Sequence, residues 1–217
     1  MGVQKVDRPP SLTELAYGQL RNGILSGDLA AGTRLSVVSL ASEMGMSRSP
    51  VRAAIERLAT DGLMRLAPGG AMVLAPDCGD LLEALAVRGT LEGLAARLAA
   101  PQLKDTDLAS LAQIHDQFRM AVEQDDTHTA RQADLEFHRQ VQLRCGNSCL
   151  VEHLDRVQAR VILATYSTAW SPQQHQAVTE HAEILAALES RDGAAAGQLA
   201  TAHIEHLIER IRVKWRH

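Results

Sequence analysis

Residues 46–62, MSRSPVRAAIERLATDG, form a stretch that predicts a helix with a sharp beginning and end. Ser47 and Ser49 offer hydroxyl oxygens to the free N–H groups of a helix start. Pro50 is tolerated in a first turn because its missing N–H would have no partner there. Gly62 favours a helix stop, since glycine adopts the left-handed backbone that often follows a last turn.

This predicted helix has an apolar side and a cationic side. The apolar positions recur at helical spacing and are Val51, Ile55 and Leu58. The arginines away from this stripe are Arg48, Arg52 and Arg57. A helix that carries Arg48 and Arg52 at its start suits the DNA major groove, where guanidinium groups pair with guanine edges or phosphates. We expect Arg57, nearer the other end, to lie on a solvated face or in an ion pair.

The flanking sequence predicts the rest of a small DNA-binding unit. An amphipathic helix begins after Ser11, which lies at capping-box spacing from Glu14. The other predicted elements are a short helix over 36–44 and hairpin strands at 63–66 and 71–74, joined by Pro68-Gly69-Gly70. Three helices followed by a hairpin predict a winged helix-turn-helix domain over residues 11–76, after a flexible tail at residues 1–10.

Composition favours helix packed on helix. Hydrophobic residues make up 46% of the 217 residues but aromatic residues only 3%, so the cores must consist of Leu, Ala, Val and Ile. No apolar run approaches the roughly 20 residues of a membrane span, and no signal-peptide pattern is present. We therefore expect a cytoplasmic protein without membrane contact. Three cysteines, an odd number, argue against a disulfide framework.

Charge is distributed unevenly along the chain. A net charge of −4 argues weakly against nucleic-acid binding. Residues 1–76, however, hold eight Lys and Arg against six Asp and Glu, whereas the remainder holds fourteen against twenty. A basic first part joined to an acidic second part is typical of a DNA-binding head with a sensing or assembly body.

The first part also carries a family resemblance. The matching positions are Gln19-Leu20-Arg21, Ile24-Leu25-Ser26-Gly27, Gly32-Thr33-Arg34-Leu35, Leu40-Ala41, Ser47-Arg48-Ser49-Pro50-Val51-Arg52, Leu58 and Gly62-Leu63. In these spacings the sequence closely resembles the N-terminal domain of GntR-family transcription regulators. The resemblance implies a DNA-contacting set of Arg34, Ser47, Arg48, Ser49, Arg52 and, in the wing, Gly70.

Two positions differ from the family pattern. Val38 stands where many members have an arginine, and residues 67–71 give the wing no basic side chain. We therefore expect the helix after Ser47 to supply a larger share of operator specificity than in a typical relative.

The chain after residues 77–79, where we place the domain boundary, is helical almost throughout. The predicted helices are Asp80 to Ala100, Asp105 to Gln124, Thr127 to Arg144, Ser148 to Thr168, Pro172 to Ser190 and Gly193 to Arg216. Six helices with short connections predict an antiparallel all-helical bundle over residues 80–217. The fold class is therefore mainly α.

Four side chains in this part are candidates for one metal site. Asp134 and His138 are four residues apart and share a helix face. His181 and His203 lie near the apolar sides of two later helices. One carboxylate and three imidazoles could converge on a divalent ion, for which zinc is the first choice and nickel, manganese and iron are alternatives. Taken singly, each histidine fits a core or surface position better than a role as a metal ligand.

A second resemblance concerns the same residues. The matching positions are Asp134-x3-His138, Glu180-His181-x2-Ile184, and Asp192 with Ala196 and His203. They resemble the pattern of the FCD ligand-binding domain, the all-helical C-terminal partner in the FadR subfamily of GntR regulators. Many members bind a metal through the matching Asp and three His, so the resemblance implies the same role for these four residues here.

Arg88 is the candidate effector ligand. With Leu91-Glu92 it resembles an Arg-x2-Leu-Glu motif in the first FCD helix. An arginine there could hold an effector carboxylate through paired hydrogen bonds. A salt bridge to Glu92, four residues on, accounts for the pair equally well. His206 is compatible with a solvated position or with a place behind the metal ligands.

These observations favour a ligand-responsive transcription regulator, a homodimeric repressor that reads an inverted repeat in double-stranded operator DNA. A small organic acid would bind at the metal and at Arg88 and shift the DNA affinity. One alternative is a metalloenzyme, because an Asp with three His and an open position could activate water. The other is a purely structural dimerisation module. No general base is placed beside the four candidates, which argues against the enzyme.

Overall fold

The structure, a computed structural model, describes residues 9–167 and 174–215. It confirms the mainly α fold class. The elements are α1 (Leu12–Ser26), β1 (Arg34–Ser36), α2 (Val37–Glu43), α3 (Arg48–Thr60), β2 (Met64–Ala67), β3 (Gly70–Val73), α4 (Cys78–Ala99), α5 (Asp105–Glu123), α6 (Thr127–Leu143), α7 (Ser148–Ser167), α8 (Gln174–Glu189) and α9 (Gly193–Trp215). Most of the predicted tail at 1–10 lies outside the described residues. No described helix is long and apolar enough to span a membrane.

The chain divides into two compact units. The first comprises residues up to Leu81 and a segment that begins at Ala159, and the second comprises Leu82–Gln158 and the C-terminal helices. Helix α4 already begins at Cys78, where Asp77 and Asp80 exchange backbone-to-carboxylate hydrogen bonds of 2.9 and 3.0 Å. Two residues of the predicted boundary at 77–79 therefore belong to a helix.

The start of α1 and the end of α3 form as their sequences predict. Ser11 and Glu14 complete the capping box, with hydrogen bonds of 2.7 and 3.2 Å. Helix α3 ends at Thr60, and Gly62 follows with a φ of 75°. The Gly62 amide then donates to the Ala59 carbonyl at 3.1 Å. Such a left-handed closing residue accounts for the sharp stop.

The stripe predicted on α3 is buried against α1. The buried residues of the two helices are Ala16, Leu20, Ile24, Val51, Ala54, Ile55 and Leu58. Because this stripe anchors α3, the other side of the helix is free to carry its arginines toward solvent.

The wing contains one strand that the sequence pattern did not predict. Strands β2 and β3 pair antiparallel as the predicted hairpin, and β1 pairs with the other edge of β3. β1 has only three residues, too few to show an alternating pattern. Gly70 lies opposite Ser36, where an added Cβ would be 1.9 Å from the Leu35 carbonyl oxygen. Only glycine allows this close pairing.

All six predicted helices of the second part are present, as α4 to α9. The predicted ends at Thr168, Pro172 and Arg216 lie outside the described residues. Helices α4 and α9 approach closely and run antiparallel, since Gly89 faces Ile204 and Gly93 faces Thr201. A Cβ on Gly93 would lie only 2.0 Å from the Thr201 hydroxyl oxygen. This packing holds the helix with Arg88 and Glu92 against the helix with His203.

Two apolar clusters in the second unit border the polar residues. The larger includes Phe137 and Leu188, and the smaller is built around Phe118. The ring of His181 contacts both phenylalanines, with centroid separations of 4.6 and 5.0 Å. The candidate metal ligands therefore lie at the junction of the two clusters.

Candidate DNA-binding surface and metal centre

The first turn of α3 is open to solvent. Ser47 occupies the N-cap position, but its side chain makes no capping hydrogen bond, so the predicted hydroxyl cap is wrong at this residue. Both Ser47 and Ser49 are exposed. The first backbone N–H groups of the helix are therefore available to an outside acceptor, and a phosphate oxygen is a suitable one.

The three arginines that the family resemblance assigns to DNA contact are exposed and have no partners among the described residues. Arg48 and Arg52 extend from α3, and Arg34 extends from β1. Within residues 9–167 and 174–215, no side chain or backbone group forms a hydrogen bond or ion pair with their guanidinium groups. Exposed, unpaired cations on well-anchored elements can neutralise phosphates or read base edges.

Arg57 behaves differently from these three. Its guanidinium carbon lies 3.9 Å from the centre of the Tyr17 ring, a cation–π contact between α3 and α1. The Tyr17 hydroxyl donates to the Asp61 carboxylate at 2.7 Å. Burial raises the pKa of Tyr17, and Asp61 adds to the effect. Arg57 therefore supports the packing of the unit, in line with its expected place away from DNA.

Asp134, His138, His181 and His203 converge on one point of the second unit. Each offers one ligand atom, and these atoms lie within 4.8 Å of one another. The imidazole centroids are 4.9 Å apart for His138 and His181, 5.2 Å for His138 and His203, and 4.7 Å for His181 and His203. The Nε2 atoms of His181 and His138 lie 3.5 and 3.9 Å from the same Asp134 oxygen. The folding of α6, α8 and α9 thus assembles the predicted set.

The three histidines are buried and short of partners. None is more than 4% exposed. Among the described residues, nothing forms a hydrogen bond with His138 Nε2 or with either ring nitrogen of His181. Burial holds the pKa of His181 well below its ordinary value, and it lowers the pKa of His203 although Glu180 opposes this. Neutral imidazoles keep the lone pair that a metal requires.

Arg88 forms the salt bridge that was one of the two alternatives, and it keeps one donor unpaired among the described residues. Its Nε donates to Glu92 Oε1 at 2.7 Å, which is the predicted salt bridge. Its Nη2 is buried and has no hydrogen-bond partner in the described part of the chain. Burial alone would raise the pKa of Glu92, but His138 and Arg88 outweigh it and leave that pKa well below its ordinary value. One end of the guanidinium is therefore paired with a carboxylate and another is available.

Two carboxylates behind the histidines were not predicted. Glu92 Oε2 lies 2.7 Å from His138 Nδ1, and Glu180 Oε2 lies 2.7 Å from His203 Nδ1. His206 Nδ1 also contacts Glu180, at 3.0 Å, although the His206 side chain is 62% exposed. Helical spacing relates residues only within one helix, so it could not pair Glu92 with a histidine 46 positions later.

Two segments of the chain are similar to known protein families. Residues 12–74 match the family of bacterial regulatory proteins named gntR, and residues 83–206 match the FCD domain. The chain belongs to the GntR family and carries an FCD domain. Family membership therefore identifies the protein as a transcription regulator and rejects the alternative of a metalloenzyme.

Several relatives of this GntR regulator align over most of its length. The HTH-type transcriptional repressor RspR of Escherichia coli K12 is 28% identical over 201 residues, which cover 90% of this chain and 87% of RspR. The regulator McbR of the same strain is 28% identical over 187 residues, 84% of each chain. A solved structure of E. coli McbR/YncC superposes with a TM-score of 0.79 at 26% identity, covering 95% of this chain and 100% of that one.

Proposed function

We propose that this GntR regulator is a homodimeric repressor of the FadR subfamily whose operator affinity is set by a small carboxylate bound at a divalent metal site. One observation carries the proposal: His138 Nε2, His181 Nε2 and Arg88 Nη2 are buried without hydrogen-bond partners among the described residues. Each such atom costs on the order of 1–3 kcal/mol. A bound metal and effector that supply partners to all three atoms would explain why the protein keeps these polar side chains buried.

The DNA-binding role is assigned to residues 11–76. The exposed guanidinium groups of Arg34, Arg48 and Arg52 would contact bases and phosphates. The backbone N–H groups of the open first turn, at Ser47 and Ser49, would donate hydrogen bonds to a phosphate. Gly70, which allows the backbone of the wing to pair closely, would contact the minor groove. The name of RspR as a repressor supports repression as the outcome of binding.

The effector-binding and dimerisation roles are assigned to residues 80–217. One carboxylate and three neutral imidazoles fit a divalent ion, so Asp134, His138, His181 and His203 would hold it. Zinc is our first choice, with nickel, manganese and iron as alternatives that the same donor set accepts. When bound, the ion supplies positive charge and open coordination positions for carboxylate oxygens.

Arg88 is assigned to the effector. Its free Nη2 would donate a charge-assisted hydrogen bond to the effector carboxylate while Nε keeps its bond to Glu92. The effector changes operator affinity only if it binds one arrangement of the two heads better than the other. A carboxylate that fits both arrangements equally would bind without regulating.

The test measures operator affinity with and without small carboxylic acids, in the presence of zinc and of a chelator. The operator is first selected from random duplex DNA with the purified protein. Small mono- and dicarboxylic acids are then screened by thermal shift with zinc and with a chelator, and the hits are added to operator titrations. We expect at least one acid that stabilises the protein only with zinc and weakens operator binding. Acids that act equally well in chelator would contradict the metal-dependent site.

A further inference from the structure

We propose that Glu92 and Glu180 are positioning residues that fix the tautomer and the ring orientation of His138 and His203 for metal binding. The inference rests on the proposed metal site, to which neither glutamate contributes a ligand. Each glutamate contacts Nδ1, which leaves Nε2 of the same ring for the ion.

Each glutamate belongs to a chain of hydrogen bonds from an arginine to a histidine, which we call a relay. The first relay runs from Arg88 through Glu92 to His138. Oε1 of Glu92 accepts from Arg88 Nε at 2.7 Å and from Gln142 at 3.3 Å, and Oε2 accepts from His138 Nδ1 at 2.7 Å. Glu92 is 4% exposed. An ionised carboxylate can only accept, so His138 must carry its proton on Nδ1. Its Nε2 is then a lone-pair donor, and it lies 3.9 Å from Asp134 Oδ1.

The second relay runs from Arg210 through Glu180 to His203. Oε1 of Glu180 accepts from Arg210 Nη1 at 2.7 Å, and Oε2 accepts from His203 Nδ1 at 2.7 Å. Arg210 Nη2 also donates to Oε2 at 3.2 Å, so the guanidinium is paired with both carboxylate oxygens. The same reasoning therefore fixes the proton of His203 on Nδ1.

The two relays share one design although they arise from different helices. Glu92 lies in α4 behind a histidine of α6, and Glu180 lies in α8 behind a histidine of α9. In both, an arginine favours the ionised carboxylate and the carboxylate then orients the ring. A carboxylate behind a ligating histidine raises the basicity of the ligand and reduces the rotational freedom lost when a metal binds.

His181 provides an internal reference because it has no relay. Neither of its ring nitrogens has a hydrogen-bond partner in the described chain. Its ring is stacked on Phe137, with centroids 4.6 Å apart and planes at 12°, and it lies 5.0 Å from Phe118. Packing rather than a hydrogen bond orients this ring. Substitution of either glutamate should leave the protonation of His181 unchanged.

The first test reads the tautomers directly. Histidine ¹⁵N spectra of the metal-free wild-type protein should show His138 and His203 protonated on Nδ1. Glu180→Leu should convert His203 to a mixture of tautomers, while His138 and His181 keep theirs. A wild-type His203 protonated on Nε2, or a spectrum unchanged by Glu180→Leu, would overturn the inference without touching the proposed metal site.

The second test measures zinc affinity by chelator competition and the cobalt(II) absorption spectrum. Glu180→Leu should weaken zinc about 10–100-fold, and it should alter the cobalt bands. Glu180→Gln should weaken zinc less, because the amide oxygen still accepts from Nδ1. Glu183→Gln, an exposed glutamate of the same helix, is the matched control and should bind zinc like wild type.

Glu92 requires a gentler change, because an apolar residue there would leave the buried Arg88 cation unpaired. Glu92→Gln should weaken zinc with the helical circular dichroism unchanged, and the exposed Glu83→Gln of the same helix should not. Equal zinc affinity in Glu180→Leu, Glu92→Gln and both controls would overturn the inference. A wild-type protein that takes up no zinc or other divalent ion would instead overturn the proposed metal site on which the inference rests.

Discussion

The solvent-exposed side of α3 and the buried polar cluster use charged side chains in opposite ways. Arg48 and Arg52 are exposed and have no partner among the described residues, and a separate apolar stripe anchors their helix. Arg88 and Glu92 are at most 4% exposed and bind each other. Water can replace a surface guanidinium, whereas removal of a buried ion leaves its partner without compensation. Changes at Arg48 and Arg52 should therefore alter binding alone, and changes in the cluster should alter binding and stability together.

The largest effect is expected from Arg48→Ala combined with Arg52→Ala. Operator affinity should fall about 100-fold or more, because each arginine–base contact contributes roughly 1–3 kcal/mol. The free energy of unfolding should stay within about 0.5 kcal/mol of wild type. Fluorescence anisotropy and urea denaturation measure the two quantities.

Arg57→Ala is the control for this double variant, because the Arg57 guanidinium is stacked on the Tyr17 ring, whereas those of Arg48 and Arg52 have no partner among the described residues. It should retain operator binding. A double variant that still protects the operator in footprinting would contradict the DNA-binding assignment.

The next largest effect concerns the metal. His181→Ala combined with His203→Ala should abolish bound metal, as measured by elemental analysis of purified protein. Zinc at about 100 times its dissociation constant should stabilise wild type by roughly 2.7 kcal/mol and leave the variant unaffected. Metal content per chain equal to wild type would show that the ion binds elsewhere.

A smaller effect is expected from Arg88→Lys. Lysine keeps a cation beside Glu92 but lacks the planar guanidinium. It therefore cannot donate hydrogen bonds to Glu92 and to an effector carboxylate from two fixed positions, as arginine can. Affinity for the acid identified in the screen should fall about tenfold, or roughly 1.4 kcal/mol. This is just below the roughly 1.5–3 kcal/mol of a whole charged hydrogen bond, because lysine keeps the positive charge. Isothermal titration with zinc present measures it. Unchanged acid affinity with unchanged zinc content would remove Arg88 from the effector site.

The last prediction is a pH dependence of the metal-free protein. The folded chain holds the pKa values of His181 and His203 below the ordinary 6.5, so below about this pH the unfolded chain binds more protons. Stability should then fall as pH drops, by up to about 1.4 kcal/mol per pH unit for each histidine. Glu180, with a lowered pKa of about 2, affects stability only at more acidic pH, below its ordinary value of 4.5.

Urea denaturation in chelator, from about pH 7 to about pH 5, measures this slope. The Arg48 and Arg52 double variant should show the wild-type slope, because neither arginine lies in the cluster. A flat profile in wild type would contradict the neutral, buried state of the two histidines.

Local patterns were sufficient for most of the fold. The capping box at Ser11 and Glu14, the stop at Gly62 and the six later helices follow from chemistry among residues a few positions apart. The same patterns missed β1, because three residues carry no periodicity and their pairing partner lies in β3. They also assigned Ser47 a hydroxyl cap that the structure lacks. Whether a side chain turns to its own backbone or to solvent is not encoded in spacing.

By itself, the sequence determined which helices form, which face of α3 is buried, and which arginines remain for solvent, because helical periodicity and cap chemistry act over one or two turns. Helical spacing made Asp134 and the three histidines candidates for one site, and a family resemblance supported the same set. Only the tertiary structure placed Glu92 and Glu180 behind two of those histidines and left Arg88 Nη2 without a partner. These contacts join residues far apart in the chain, and their existence depends on how whole helices pack.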